Sequence, residues 1–281
     1  MDTKVLVGLL RLDLECRGFA ETTIGEYTRI AGMFLDEHNG VVEGFTRENV
    51  VGWISTGVTQ SQKRWRWLSL RSLSRALRED GILEDDPTAR IAMPQEVVTP
   101  QPIVSEADLA ALVAACSGNA TADARDRALI LTLASTGARR AEVAALRVID
   151  VDLHSGTVLI RNGKGGRART AFLDSSSRRA LAKWLHRSGI GDGDYLWPGQ
   201  RANPLTGDGV RQVLERRSRR AGVHVTAHQF RRRLAARWLL EGGSEVGLRA
   251  AAGWNSGAMV ARYAAMAATE VARTEHTRIF G

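Results

Sequence analysis

VIDVDLHSGTVLIRNGKGGRARTAFLD, residues 148 to 174, is where this 281-residue chain changes its period. VIDVDL alternates apolar and polar residues, HSG turns, TVLIR alternates again, NGKGG turns, and RARTAFL returns, a pattern that predicts a three-stranded antiparallel meander. On both sides the apolar spacing is helical, so the fold class is mainly α with one small three-stranded antiparallel sheet. Upstream, helices are predicted around 3–17, from a Thr23/Glu26 capping box through IGEYTRIAGMFLDEH, around 46–54 and around 60–80. Further on, Ser105 and Asp108 cap LAALVAAC. ALILTLAST (128–136) reads as a buried helix that stops or restarts at Gly137. Beyond about 174 the chain is helical again. Thr226 with Gln229 opens a helix carrying His228 and Arg231, and Trp254 and Tyr263 fall on what reads as the last substantial helix.

Four of the six prolines, Pro87, Pro94, Pro100 and Pro102, fall in DDPTARIAMPQEVVTPQP, which cannot continue a helix. This predicts a helical domain over 1–94, a linker over 95–103 and a second domain over 104–281. Composition narrows the class. With 44% hydrophobic and 25% charged residues, the chain has no apolar run near the ~20 residues that span a bilayer. VLVGLL (5–10) is too short and too charged around its edges for a signal peptide. Cys16 and Cys116 have no paired spacing, which argues against disulfides or zinc and leads us to expect a cytoplasmic protein with no metal and no cofactor.

Charge points to a polyanionic partner: the net charge is +8, and the excess lies entirely after residue 94. Arg201 to Arg237 spans ten arginines, no lysine and only two acids, Asp208 and Glu215. A guanidinium makes paired, directional bonds to phosphate that an ammonium cannot. In the segment 60–80, Leu70, Leu73 and Leu77 form an apolar stripe, while Lys63, Arg64, Arg71, Arg75 and Arg78 form a cationic face with no acid between them. These five, with Arg211 and Arg232, are the candidate DNA contacts.

Signatures of metalloproteases, serine hydrolases and P-loops are absent. What remains is a set of cations beside one phenol: Arg139 and Glu142 in TGARRAEV, Lys164 in NGKGG, His228 and Arg231 in HQFR, then Trp254 and Tyr263. Transfer of a DNA phosphoryl group wants such a set. A nucleophile displaces an ester oxygen, fixed cations meet the charge on the non-bridging oxygens, and the leaving oxygen needs a proton. Taken singly, each residue has a plainer reading: a surface ion pair for Arg139 and Glu142, a packing aromatic for Tyr263 or Trp254, a polar turn residue for Lys164.

In order and spacing these motifs resemble the tyrosine recombinases, or phage integrase family, the relatives of Xer, Cre and lambda-type integrases. TGARRAEV is similar to the family's T-G-x-R-x-x-E, HQFR to its H-x-x-R, and AAGWNSGAMVARY to the segment with histidine or tryptophan nine residues before the nucleophile. The resemblance implies a SAM-like helical core-binding domain followed by a catalytic domain of the DNA breaking-rejoining fold, in a minimal two-domain form without an arm-binding module. It implies catalytic roles for Arg139, Lys164, His228, Arg231, Trp254 and Tyr263, with Glu142 in support. Trp254, where histidine is frequent, would supply an indole N–H. The implied reaction is site-specific recombination of duplex DNA through a 3′-phosphotyrosyl intermediate, by a homotetramer that is monomeric without DNA. The implied biological role is that of a phage or mobile-element integrase. An Xer-like resolvase, a type IB topoisomerase and an inactive DNA-binding relative are the alternatives.

Overall fold

The computed structural model describes residues 2–40, 42–95, 102–161, 168–199 and 203–254, then 257, 259–261, 263, 272–273, 276–277 and 279–280. The chain divides into two compact units, Met1–Thr99 and Pro100–Gly281. Among the described residues no helix is long and apolar enough to cross a membrane.

The first unit holds α1 (Thr3–Cys16), α2 (Glu21–Glu37), α3 (Arg47–Ser55) and α4 (Gln60–Glu79). Each helix turns one apolar stripe inward: Leu6, Leu10 and Leu14 from α1, Ile24, Ala31 and Phe34 from α2, and Leu70, Leu73 and Leu77 from α4 meet in one core. The start of α2 differs from the expected capping box. The Thr23 amide already donates to the Ala20 carbonyl at 2.8 Å, so the helix has begun before Thr23. Ala20 is the N-cap, and Glu26 pairs with Arg29 at 2.6 Å instead.

The second unit runs α5 (Glu106–Ala114), α6 (Thr121–Thr136), α7 (Arg140–Ala144), β1 (Val151–Asp152), β2 (Thr157–Ile160), β3 (Arg169–Phe172), α8 (Ser175–Ser188), α9 (Gly207–Ala221), α10 (Ala227–Leu240) and α11 (Glu245–Ala252). The sheet is the expected antiparallel meander in the order β1-β2-β3, but its first arm is shorter than VIDVDL implied: Val148–Asp150 turn as a 3-10 helix, closed by the Asp150 amide on the Arg147 carbonyl at 3.1 Å, and only Val151 and Asp152 pair as strand. Val158 faces Ala171 and Ile160 faces Arg169 across the β2–β3 ladder. Val158, Ile160 and Ala171 are buried, while Leu159 and Phe172 on the alternate face are exposed, as a period of two requires. The Ser105/Asp108 box forms reciprocally. At α10 only half of the expected box is present: Gln229 Oε1 accepts from the Thr226 amide at 2.7 Å, but the Thr226 side chain makes no cap bond.

Helix α6 begins seven residues before the apolar run that announced it. It is buried on all sides, from Ala128 through Leu133, because α8 and α10 both pack on it. It ends at Gly137, whose φ of +55° is left-handed, and a Cβ there would lie 2.8 Å from Leu234 Cδ2 on α10. Only glycine combines that conformation with that approach. The chain after Arg187 also departs from the all-helical expectation. Its described residues between α8 and α9 are irregular, with Arg147 bridging to Tyr195 and the Leu196 amide donating to the Leu146 carbonyl at 2.8 Å. Leu196 and Trp197 are buried by it.

An ionic knot joins α6 to α9. Asp126, fully buried, receives Arg125 at 2.9 Å and both Arg216 and Arg217 at 2.7 Å. Arg217 is buried too, and reaches Asp123 at 2.8 Å and the Ala115 carbonyl at 2.9 Å. Removing one partner of such a pair leaves an uncompensated buried charge. Asp126→Ala is therefore expected to cost about 3–5 kcal/mol in urea unfolding of the second unit. Arg211→Ala, which breaks only exposed pairs, should unfold at the same urea concentration as wild type.

Candidate active site

The site starts where α6 gives way to α7. Arg139 is the N-cap of α7 and Glu142 its third residue, so an i,i+3 spacing folds the carboxylate back over the helix start. Glu142 Oε2 accepts from the Arg139 amide at 2.9 Å, and Oε1 accepts from Arg139 Nη1 at 2.5 Å. From the sheet, Arg169 Nη2 on β3 donates to the same Oε2 at 3.0 Å. Glu142 is buried. Burial alone would raise its pKa, but the Arg139 amide and the charges of Arg169 and Arg139 hold it below the usual carboxylate range. Arg139 keeps a third of its side chain exposed, so it is anchored at one edge and open at the other.

The second arginine comes from α10. Arg231 is buried, and its Nη1 donates to the Gly137 carbonyl at 3.0 Å while Nη2 donates to the Ala252 carbonyl. Both acceptors are helix ends, where carbonyls lack intrahelical partners and the dipole is negative. Burial pushes the Arg231 guanidinium down to about 10, as does repulsion from Arg139 and Arg169, against the opposite pull of Glu142 and Tyr263. It remains a cation at neutral pH. Its Cζ lies 5.3 Å from the centroid of the Trp254 ring.

Trp254 follows Gly253, just past the end of α11, and so does not share a helix with Tyr263 as expected. Gly253 adopts a left-handed φ of +64° and reverses the chain. Trp254 and Tyr263 stack face to face, with centroids 5.0 Å apart and planes 5° apart. Both rings are buried, in an apolar cluster with Ala235, Leu248, Ala252 and Val260. The order in space is thus cation, indole, phenol.

Arg139, Arg231 and the exposed His228 line a cleft of about 580 Å³, and the buried Trp254–Tyr263 stack lies behind Arg231. The structure therefore gathers Arg139, Glu142, Arg231, Trp254 and Tyr263, with His228 on the cleft that both arginines line. Lys164 lies outside the described residues. Two features were missed in sequence. Arg140, Arg219 and His224 also line the cleft, and Arg169 inserts into the site from β3. Alternation along RTAF puts Arg169 and Ala171 on the same, inward side of β3, which was the available signal for Arg169.

The candidate DNA contacts are less uniform. Lys63 and Arg64 are half-buried on α4 and Arg78 is exposed. Arg71 lies over the Trp67 ring at 5.2 Å, with its Nη1 4.0 Å from Asp86, and Arg75 is held by Asp13 at 2.8 Å. Arg17, Arg71, Arg75 and Arg78 nonetheless line one cleft of about 450 Å³. Arg211 lies on the active-site cleft but is held by Asp208 at 2.8 Å and Glu215 at 2.5 Å. Arg232 Nη1 donates to the Pro102 carbonyl at 3.1 Å.

Comparison with known proteins places these observations. Residues 103–270 match the phage integrase family. The chain is 26% identical over 243 residues to the tyrosine recombinase XerC of Xylella fastidiosa strain M23, covering 83% of this chain and 82% of that protein. It is 28% identical to the tyrosine recombinase XerC of Bacillus subtilis strain 168 over 62% of this chain and 60% of that protein. In fold it resembles the Tn1549 transposon integrase solved in complex with transposon right-end DNA. The TM-score there is 0.76 at 17% identity, over all of both chains.

The lowered pKa of Glu142 fixes a sign. A carboxylate whose folded pKa is depressed contributes stability above its unfolded pKa and loses it as pH falls through the folded one. Glu142→Gln should thus be less stable than wild type at pH 7, with the gap closing as pH drops through and below the ordinary carboxylate range. Urea titrations of both proteins between pH 7 and pH 3 check this.

Proposed function

The chain belongs to the phage integrase family, the site-specific tyrosine recombinases, and from that premise we propose that it cuts and rejoins duplex DNA through a 3′-phosphotyrosyl bond made by Tyr263. The observation that supports this reading is the convergence of Arg139, Arg231 and Tyr263: the two arginines line one cleft, and Arg231 lies 5.3 Å from the Trp254 ring that stacks on Tyr263. Arg139 and Arg231 take the non-bridging oxygens of the scissile phosphate, where charge builds as the phosphorus is attacked. His228 and Trp254 add N–H donors. The Tyr263 oxygen displaces the 5′ oxygen, and Lys164 gives that leaving group its proton. A 5′ hydroxyl of the partner duplex then attacks the phosphotyrosine and releases Tyr263, so the ester bond is conserved through the exchange.

The arginine-lined cleft of the first unit supports DNA binding there through Arg71 and Arg78, beside Lys63 and Arg64 on the same helix. Four protomers hold two duplex sites in the working complex. A role as a phage or mobile-element integrase is supported by the fold shared with the transposon integrase. Identity to XerC along most of the chain favours, as a second reading, resolution of chromosomes or plasmids.

A nicked suicide duplex carrying the chain's recombination site, obtained by selection from random duplexes, tests the chemistry. Wild type should form a covalent adduct that denaturing gels retain, and Tyr263→Phe should form none while binding the duplex as before. An adduct in the Phe variant would place the nucleophile elsewhere. Arg139→Ala should slow adduct formation by about 10² to 10³, the scale of losing one preorganised charge stabiliser.

A further inference from the structure

We propose that Arg169 is a positioning residue for strand cleavage: it fixes the Glu142 carboxylate and the turn before Trp254 together, and so sets Arg139 and the Trp254–Tyr263 stack relative to one another. This rests on the cleavage chemistry proposed above and adds a residue that the motifs do not contain.

Arg169 begins β3, and its side chain is more than nine-tenths buried. Its donors part in two directions. Nη2 reaches Glu142 Oε2 at 3.0 Å, and Nε reaches the Ala251 carbonyl at 3.1 Å. The next carbonyl, that of Ala252, is taken by Arg231. Two guanidiniums thus grip successive carbonyls at the C-terminal end of α11, the negative end of its dipole. That end leads through Gly253 directly into Trp254.

The fit around Arg169 is close. A Cβ on Gly253 would lie 2.6 Å from Arg169 Cδ, so the glycine serves both the left-handed turn and the passage of this side chain. Burial lowers the Arg169 pKa, as does repulsion from Arg139, while Glu142 raises it. A cation kept in a dry place beside two others is costly unless its placement does something. What it does here is occupy the Glu142 oxygen that also caps Arg139, leaving Oε1 to aim the Arg139 guanidinium.

Three variants of the full chain test this in single-turnover cleavage of the suicide duplex, with duplex affinity measured in parallel. Arg169→Gln is expected to cleave about 10- to 100-fold more slowly, the usual loss for a residue that orients a reacting group, with affinity within about threefold of wild type. Arg169→Lys keeps the charge but cannot reach both acceptors, and should also be slow while folding normally. In a Glu142→Ala background, Arg169→Gln should slow cleavage by clearly less than it does alone, because the carboxylate arm of its contact is already gone and only the Ala251 arm remains. A merely structural role predicts a multiplicative loss in that background. Wild-type cleavage rates in both Arg169 variants, or multiplicative losses in the double variant, overturn the proposal while leaving the nucleophile assignment intact. A wild-type chain that binds the duplex without forming adduct overturns both.

Discussion

One buried carboxylate, that of Glu142, holds the candidate active site together. Arg139 and Arg169 bond the same carboxylate, and repulsion from both lowers the pKa of the buried Arg231 beside them. Glu142 is the counter-charge that makes their approach tolerable, bonded to two of them and felt by the third. The cluster still carries more positive than negative charge. An anion of the size and charge of a phosphodiester completes it, which is what preorganisation for phosphoryl transfer means in physical terms.

Backbone carbonyls do the rest of the binding. Arg231 is seated on the carbonyls of Gly137 and Ala252, and Arg169 on that of Ala251. These are the ends of α6 and α11, and both helices terminate in a left-handed glycine with a neighbour packed where a Cβ would go. The site is thus built at helix termini, where the fold offers acceptors that nothing else satisfies. Trp254 carries that order onward to Tyr263 through a parallel stack.

What could be read from the chain followed from how local the interaction was. The pairing of β2 with β3 was legible because alternation in TVLI and RTAF has no helical equivalent, whereas the NGKGG turn between them lies outside the described residues. The pairing of Arg139 with Glu142 was legible because three residues separate them. The start of α2 was misread because Thr23 and Glu26 have the right types one turn too late, and α6 was announced only by its most apolar half. Long-range partners carried no such mark. Arg75 meets Asp13 across 62 residues, so the acid-free run on α4 is partly neutralised from α1. Arg169 finds Ala251 across 82, and no spacing rule reaches that far.

The knot around Asp126 gives the molecule two electrostatic regimes. Its central pair, Asp126 with Arg217, is buried, where mobile ions screen weakly, whereas attraction between surface arginines and a polyanion falls steeply with added salt through counterion release. Raising the ionic strength therefore weakens the hold of exposed arginines on a polyanion well before it loosens this buried pair.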